Sequence, residues 1–285
     1  MSSSGSAAGF GLLSAAIWGG SDFIGGLGSR RAPALLVVIS GHLVSLFVLL
    51  VICFGMRLAL PGRHDLFFAA LGGFEGALAL ALFYRALAMG AMGLTAALTG
   101  LLTALVPVLF SMWHDGLPTA LAAGGLVMGL AAIGLITHSP RAKGTAEKQA
   151  TPPAALLFGA LAGLGFGVQL ILFKFASGGE ILWVMTSARA AGVAAMLLVL
   201  LVVPPKAPWR GFWLFGILAG SLDTLGNLLY IQTTRFGRLD TAAMVCSLYP
   251  AGTILLAAIV LREWPTRRQF AGIALALAAV VLLSV

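Results

Sequence analysis

Six ionisable side chains stand inside long apolar runs: Asp22, His42, Glu75, Arg85, Arg189 and Asp223. Burying a charge in hydrocarbon costs at least a few kcal/mol, so such residues mark function by default. Glu75 and Asp223 lie near the middle of their runs. A carboxyl there can hold a substrate ammonium group, carry a coupling proton, or simply hydrogen-bond a neighbouring helix. Arg189 can grip a carboxylate through two parallel N–H bonds or tie helices together through backbone carbonyls. Asp223 is followed by Asn227, Tyr230 and Thr234 at i+4, i+7 and i+11, which is one side of a helix. Lipid rejects such a stripe, so it faces protein or a watery cavity.

Ser14, Trp18 and Asp22 recur at spacings of four near the start of the chain, and Phe166 and Gln169 occupy the corresponding stretch of the second half. Trp18 and Phe166 read either as two aromatic walls around a ligand or as packing. The phenols of Tyr84, Tyr230 and Tyr249 each need a polar partner once buried. The expected substrate-binding set is therefore Trp18, Asp22, Glu75, Tyr84, Phe166, Gln169, Asp223, Asn227, Tyr230 and Tyr249. Thr95, Thr99 and Thr103 share a face, where hydroxyls returning hydrogen bonds to the backbone favour helix packing. His42 and Arg189 stand at matching places in the two halves.

Other chemistries find little support. The four histidines, His42, His64, His114 and His138, are dispersed. There is no His-x-x-x-His pair and no Gly-x-Ser-x-Gly, so neither a metal site nor a cofactor is expected. An intramembrane enzyme and a membrane scaffold remain as alternative readings; a scaffold need not bear the cost of the polar stripe. Cys53 and Cys246 fall inside apolar runs and read as small buried packing residues.

The elements that carry these residues follow from composition. Of 285 residues, 60% are hydrophobic and 9% charged, with a mean hydropathy of +1.04. Soluble domains carry roughly 25% charged residues, and lipid is the solvent that accepts the difference. Apolar runs of about 20 residues without alternation are helices, because backbone groups in lipid must be satisfied within the structure. The expected class is all-α, a polytopic membrane protein of ten transmembrane helices. The spans run roughly 8–27, 33–55, 65–87, 92–113, 118–137, 154–176, 180–203, 209–234, 239–261 and 267–284. The net charge of +8 is spread as ones and twos between runs, which suits topology determinants and excludes nucleic acid as a partner. No basic segment precedes the first run, which reads as a span and not a removable signal. Pro107 is expected to kink or break helix 4, and Pro250 helix 9.

The halves repeat. With a shift of about 147, Pro118-Thr119 falls on Pro265-Thr266, Gly125 on Gly272 and His42 on Arg189; nearby shifts bring Tyr84 onto Tyr230 and Trp18 onto Phe166. Five spans per half is odd, so the halves insert in opposite directions. The expected division is 8–137, a linker at 138–153 holding Arg141, Lys143, Glu147 and Lys148, and 154–285. Inverted repeats place their site at the interface near the midplane.

These residues resemble a known family. Phe83-Tyr84-Arg85-Ala86-Leu87-Ala88-Met89-Gly90-Ala91, then Ala96-Ala97-Leu98 and Leu105-Val106-Pro107-Val108-Leu109, are similar to the middle of an EamA-type domain. Ser247-Leu248-Tyr249-Pro250, Leu261-Arg262-Glu263, Gln269 and Gly272 resemble it more fully, and Arg189 matches the usual arginine of a repeat's second helix. The first half departs, with His114-Asp115-Gly116 opposite Leu261-Arg262-Glu263 and His42 opposite the arginine. The resemblance implies the drug/metabolite transporter superfamily, with the aromatic amino-acid exporters nearest. It implies a secondary transporter, an exporter of small metabolites and above all amino acids, working by alternating access. The implied partners are a small-molecule substrate, the lipid bilayer and coupling protons. The expected location is the cell's inner (plasma) membrane, crossed many times. The family's glutamate carries over to Glu263 alone.

Orientation stays open. Loops after odd-numbered spans hold ten basic residues against about five after even-numbered ones, which places the chain's ends outside by the positive-inside tendency. The resemblance places them in the cytoplasm.

Overall fold

A computed structural model describes residues 3–89, 92–137, 152–204, 211–260 and 266–284, with some side chains inside the helices not described. Residues 138–151 of the expected linker, and Glu263, lie outside the described residues. What is described is helical: α1 (Ser3–Ser29), α2 (Ala34–Gly55), α3 (Arg63–Met89), α4 (Met92–His114), α5 (Ala120–Thr137), α6 (Pro153–Phe175), α7 (Ile181–Val202), α8 (Phe212–Phe236), α9 (Leu239–Cys246), α10 (Tyr249–Val260) and α11 (Arg267–Ser284). Taken as one span, α9 and α10 make the total ten. Eight of these spans are long and apolar enough to cross a membrane; α5 offers a shorter apolar stretch, Ala123–Ala132. The molecule is a polytopic α-helical membrane protein, and its outer faces carry side chains such as Phe47, Val51, Leu201 and Val202 that only lipid would cover.

The two prolines act differently. Pro250 cannot donate to Cys246, four residues back, and its ring crowds that carbonyl. The helix stops at Cys246 and restarts at Tyr249. Pro107 also lacks the N–H, yet α4 runs through it unbroken. The expected break therefore occurs in one half only. Gly100 of α4 lies directly under the Pro250 ring, where an added Cβ would stand 2.6 Å from Cγ.

The halves interlock. α1 packs most extensively on α8, and α3 on α6; α2 packs on α8 as α7 packs on α3; α1 meets α9 and α10 as α6 meets α4. Exchanging the first five spans for the second five maps each of these pairs onto the other, while α2 with α7 and α5 with α11 map onto themselves. Small residues permit the closest crossings. A Cβ on Gly41 would stand 2.8 Å from the Gly220 Cα, and Gly73 lies against the Ala188 backbone. These are equivalent crossings, since 41 and 188, like 73 and 220, differ by the repeat shift.

Candidate functional site

Where α1, α3, α4, α6, α8 and α10 converge, a cavity is lined by Trp18, Asp22, Leu80, Thr103, Phe166, Gln169, Leu170, Asp223, Asn227 and Tyr249. About 30 Å³ of it is open to water centres, room for about two waters at ~10–15 Å³ each. Seven expected site residues thus meet: Trp18, Asp22, Phe166, Gln169, Asp223, Asn227 and Tyr249.

Asp223 is fixed from two directions. Arg189 Nη2 donates to its Oδ2 at 2.6 Å, both side chains largely buried. Asn227 Nδ2 donates to its Oδ1 at 3.1 Å and to its backbone carbonyl at 2.7 Å. Arg189 Nη1 reaches His42 Nε2 at 3.1 Å, and His42 Nδ1 lies 3.1 Å from the Val38 carbonyl. Arg189 can only donate. The ring nitrogen facing it therefore accepts, and the proton sits on Nδ1. Asp22 differs: it is 6% exposed, borders the cavity and makes no hydrogen bond or ion pair among the described residues. Asn227 Oδ1 and the Tyr249 hydroxyl are also buried without a partner. Buried polar groups are ordinarily satisfied, which sets this cluster apart from the hydrogen-bonded polar groups around it.

Aromatic rings shape the walls. Trp18 stacks on Tyr230 at 6.0 Å and meets Tyr249 edge-on at 6.4 Å; Phe166 meets Phe83 edge-on at 5.7 Å.

Three expected residues lie elsewhere. Glu75 is on α3 beside Gly165 of α6, with Oε2 buried and unpartnered. Its neighbour Gly76, about 100° round the helix, is the one pressed against Gln169. Tyr84 and Tyr230 are fully buried at the cavity's margins. The Tyr84 hydroxyl contacts the Ser21 hydroxyl at 3.3 Å and donates to its carbonyl at 3.5 Å; Tyr230 donates to the Leu170 carbonyl at 2.7 Å. Successive spans alternate direction, so α1 and α6 run oppositely. The two tyrosines therefore bound the cavity toward opposite membrane faces. Thr234, expected on the same stripe, bonds its own helix at Ile231. Arg85 is exposed near the end of α3 and takes no part.

Leu80, Thr103 and Leu170 were not expected in the lining. Thr103 reads as packing because its hydroxyl returns to the Thr99 carbonyl at 2.8 Å. The signal that could have found it is Pro107, which leaves the Thr103 carbonyl without its helical donor. Thr99 does pack between helices, donating to the Gly159 carbonyl at 2.9 Å. Cys53 and Cys246 are both buried and free.

The helical fold thus gathers charged and aromatic groups around one central cavity. Residues 153–285 match the EamA-like transporter family. The second half is therefore similar to an EamA-like transporter domain, set in a multi-pass helical membrane fold. That fold is shared with a protein known from a crystal structure, at a TM-score of 0.72 and 17% identity, covering 98% of this chain and 96% of that one. No curated protein matches the chain.

Proposed function

We propose that the chain is a secondary exporter of small amino-bearing metabolites, amino acids first, working by alternating access between repeats at 8–137 and 154–285. The observation that carries this reading is Asp22, a carboxyl bordering the central cavity with no partner. A substrate ammonium group completes it. Trp18, Phe166 and Tyr249 cover the apolar part of the substrate, the Gln169 amide offers a donor to its carboxylate, and the unpartnered Asn227 Oδ1 accepts from its ammonium group.

Charge balance supports coupling to protons. Asp22 and Asp223 border the same cavity, and one guanidinium, Arg189, serves Asp223. With no substrate present, a proton on Asp22 removes the second negative charge from a low-dielectric site. Substrate and proton then compete for one carboxyl, which is the logic of exchange. The Tyr84 and Tyr230 hydrogen bonds serve as latches on the two sides, both closed here. Export and the inner (plasma) membrane rest on the resemblance of both halves to ten-helix exporters.

The test is flux of radiolabelled amino acids in proteoliposomes under pH gradients of either sign, for the wild type and Asp22→Asn. Substrate-dependent flux is expected in the wild type and a loss of more than about tenfold in the variant, the scale of one charge-assisted hydrogen bond at 1.5–3 kcal/mol. Absence of flux under every gradient overturns the reading.

A further inference from the structure

A second void, larger than the central cavity beside Asp22, lies among the described residues. A vestibule of about 400 Å³ opens on the membrane face where α4 and α6 end and α3 and α9 begin. That lies within the roughly 300–1,000 Å³ of small-molecule sites, whereas the central cavity holds only a couple of waters.

Its charged groups are not equivalent. Both Asp115 oxygens are engaged, by Ser111 Oγ at 2.7 Å and His114 Nδ1 at 2.8 Å. Asp65 accepts no hydrogen bond among the described residues; the Nδ1 of the exposed His64 lies 3.9 Å away. Lys174 Nζ, with three protons to give, spends one on the Thr234 carbonyl at 2.6 Å. Phe110 and Phe175 meet edge-on at 5.9 Å to form an apolar wall. The vestibule thus offers an open carboxylate, a cation with spare donors and an aromatic surface.

We propose that this vestibule is a second binding station for a zwitterionic amino acid, which places its ammonium group on Asp65 and its carboxylate on Lys174 before reaching the central cavity. The proposal rests on the amino-acid reading above and extends it to a separate site. Lys174 lies one helical turn beyond Leu170 on α6, and Thr234 one turn beyond Tyr230 on α8. Lys174–Thr234 is therefore the rung next to the Tyr230–Leu170 latch. A carboxylate that draws Lys174 away removes that rung, so occupancy of the vestibule loosens the latch on its own side.

Equilibrium binding of tritiated phenylalanine to the full chain in nanodiscs tests this, with thermal stability confirming that each variant is folded. The wild type is expected to bind about two molecules per chain, and Asp22→Asn, Asp65→Asn and Lys174→Gln about one each; Lys174→Arg keeps two, since it preserves the charged donors. Phenylethylamine and phenylpropionate, each lacking one charge, are expected to displace the Asp22→Asn-resistant site at least about tenfold more weakly than phenylalanine. A single site lost in Asp22→Asn and unchanged in Asp65→Asn and Lys174→Gln overturns the vestibule station and leaves the central-site reading intact. No binding to any of these proteins overturns both.

Discussion

Arg189 and His42 stand 147 residues apart, at matching positions of the two halves, and touch: Arg189 Nη1 meets His42 Nε2 at 3.1 Å. Two residues related by an internal two-fold can meet only near its axis, so this contact marks the axis beside the central cavity. It also shows where the halves part. Arg189 pairs with Asp223, but the position equivalent to Asp223 in the first half is Gly76. Symmetry supplies two docking places and the sequence fills one with a charge pair. The first half then uses a neutral imidazole as acceptor, leaving the guanidinium for Asp223.

The ion pair is expected to be the costliest polar contact to break. Removing one partner of a buried pair leaves an uncompensated charge, at about 3–5 kcal/mol. Arg189→Met and Asp223→Asn should each lower thermal stability in detergent by about that much, and the double variant by clearly less than their sum. His42→Gln should cost about 1 kcal/mol, the scale of one hydrogen bond. Additive single effects would show that the two residues do not interact.

The tyrosine latches predict opposite-sided effects. Tyr230→Phe removes the bond to the Leu170 carbonyl and Tyr84→Phe the contacts to Ser21, at about 1 kcal/mol each. That is about a fivefold change in a conformational equilibrium. A cysteine replacing Thr103 in the cavity lining should react faster with an impermeant thiol reagent applied from the vestibule side in Tyr230→Phe, and from the other side in Tyr84→Phe. Both free cysteines of the wild type are buried, which keeps the background low. Equal effects from both sides would separate the tyrosines from gating.

Close helix crossings predict intolerance of added carbon. A Cβ on Gly220 would meet the Gly41 carbonyl carbon at 2.7 Å, backbone against backbone, so nothing flexible can yield. Gly220→Val should destabilise by about 1–3 kcal/mol, read as a lowered melting temperature. Gly9, with no atom within 4 Å of an added Cβ, should accept Ala with no measurable change.

Outside the membrane-spanning segments, Asp115 predicts a pH effect. Hydrogen bonds from His114 and Ser111 hold its carboxyl below the ordinary value of 3.8. A depressed carboxyl stabilises the fold above its unfolded value, and that contribution is lost as pH falls through the lowered value. Ser111→Ala should move the carboxyl titration, followed by carbon-13 NMR, back up toward 3.8. An unchanged titration would show that Ser111 does not contribute.

The class of protein was legible from the chain alone. Apolar runs of membrane length have one satisfactory solution in lipid, the helix, so composition decides fold class without any knowledge of packing. One pairing was legible for a related reason: His42 and Arg189, matched by the sequence shift, meet in the structure at 3.1 Å. Trp18, Asp22, Phe166, Gln169, Asp223, Asn227 and Tyr249 could be picked out because a polar or bulky aromatic residue in an apolar helix needs a reason. Facing was not legible. Glu75 and Gly76 are adjacent in sequence, yet about 100° of helix rotation puts Gly76 against Gln169 and leaves Glu75 at the α3–α6 seam. Nor could the chain show that Pro250 divides its helix while Pro107 does not, since a broken helix survives only where neighbours accept its ends. The vestibule was beyond reach altogether. His64, Asp65, His114, Asp115 and Lys174 come from three helix ends scattered along the chain. Each on its own reads as an ordinary residue near a membrane surface, and only the interlocking of the two halves brings them around one space.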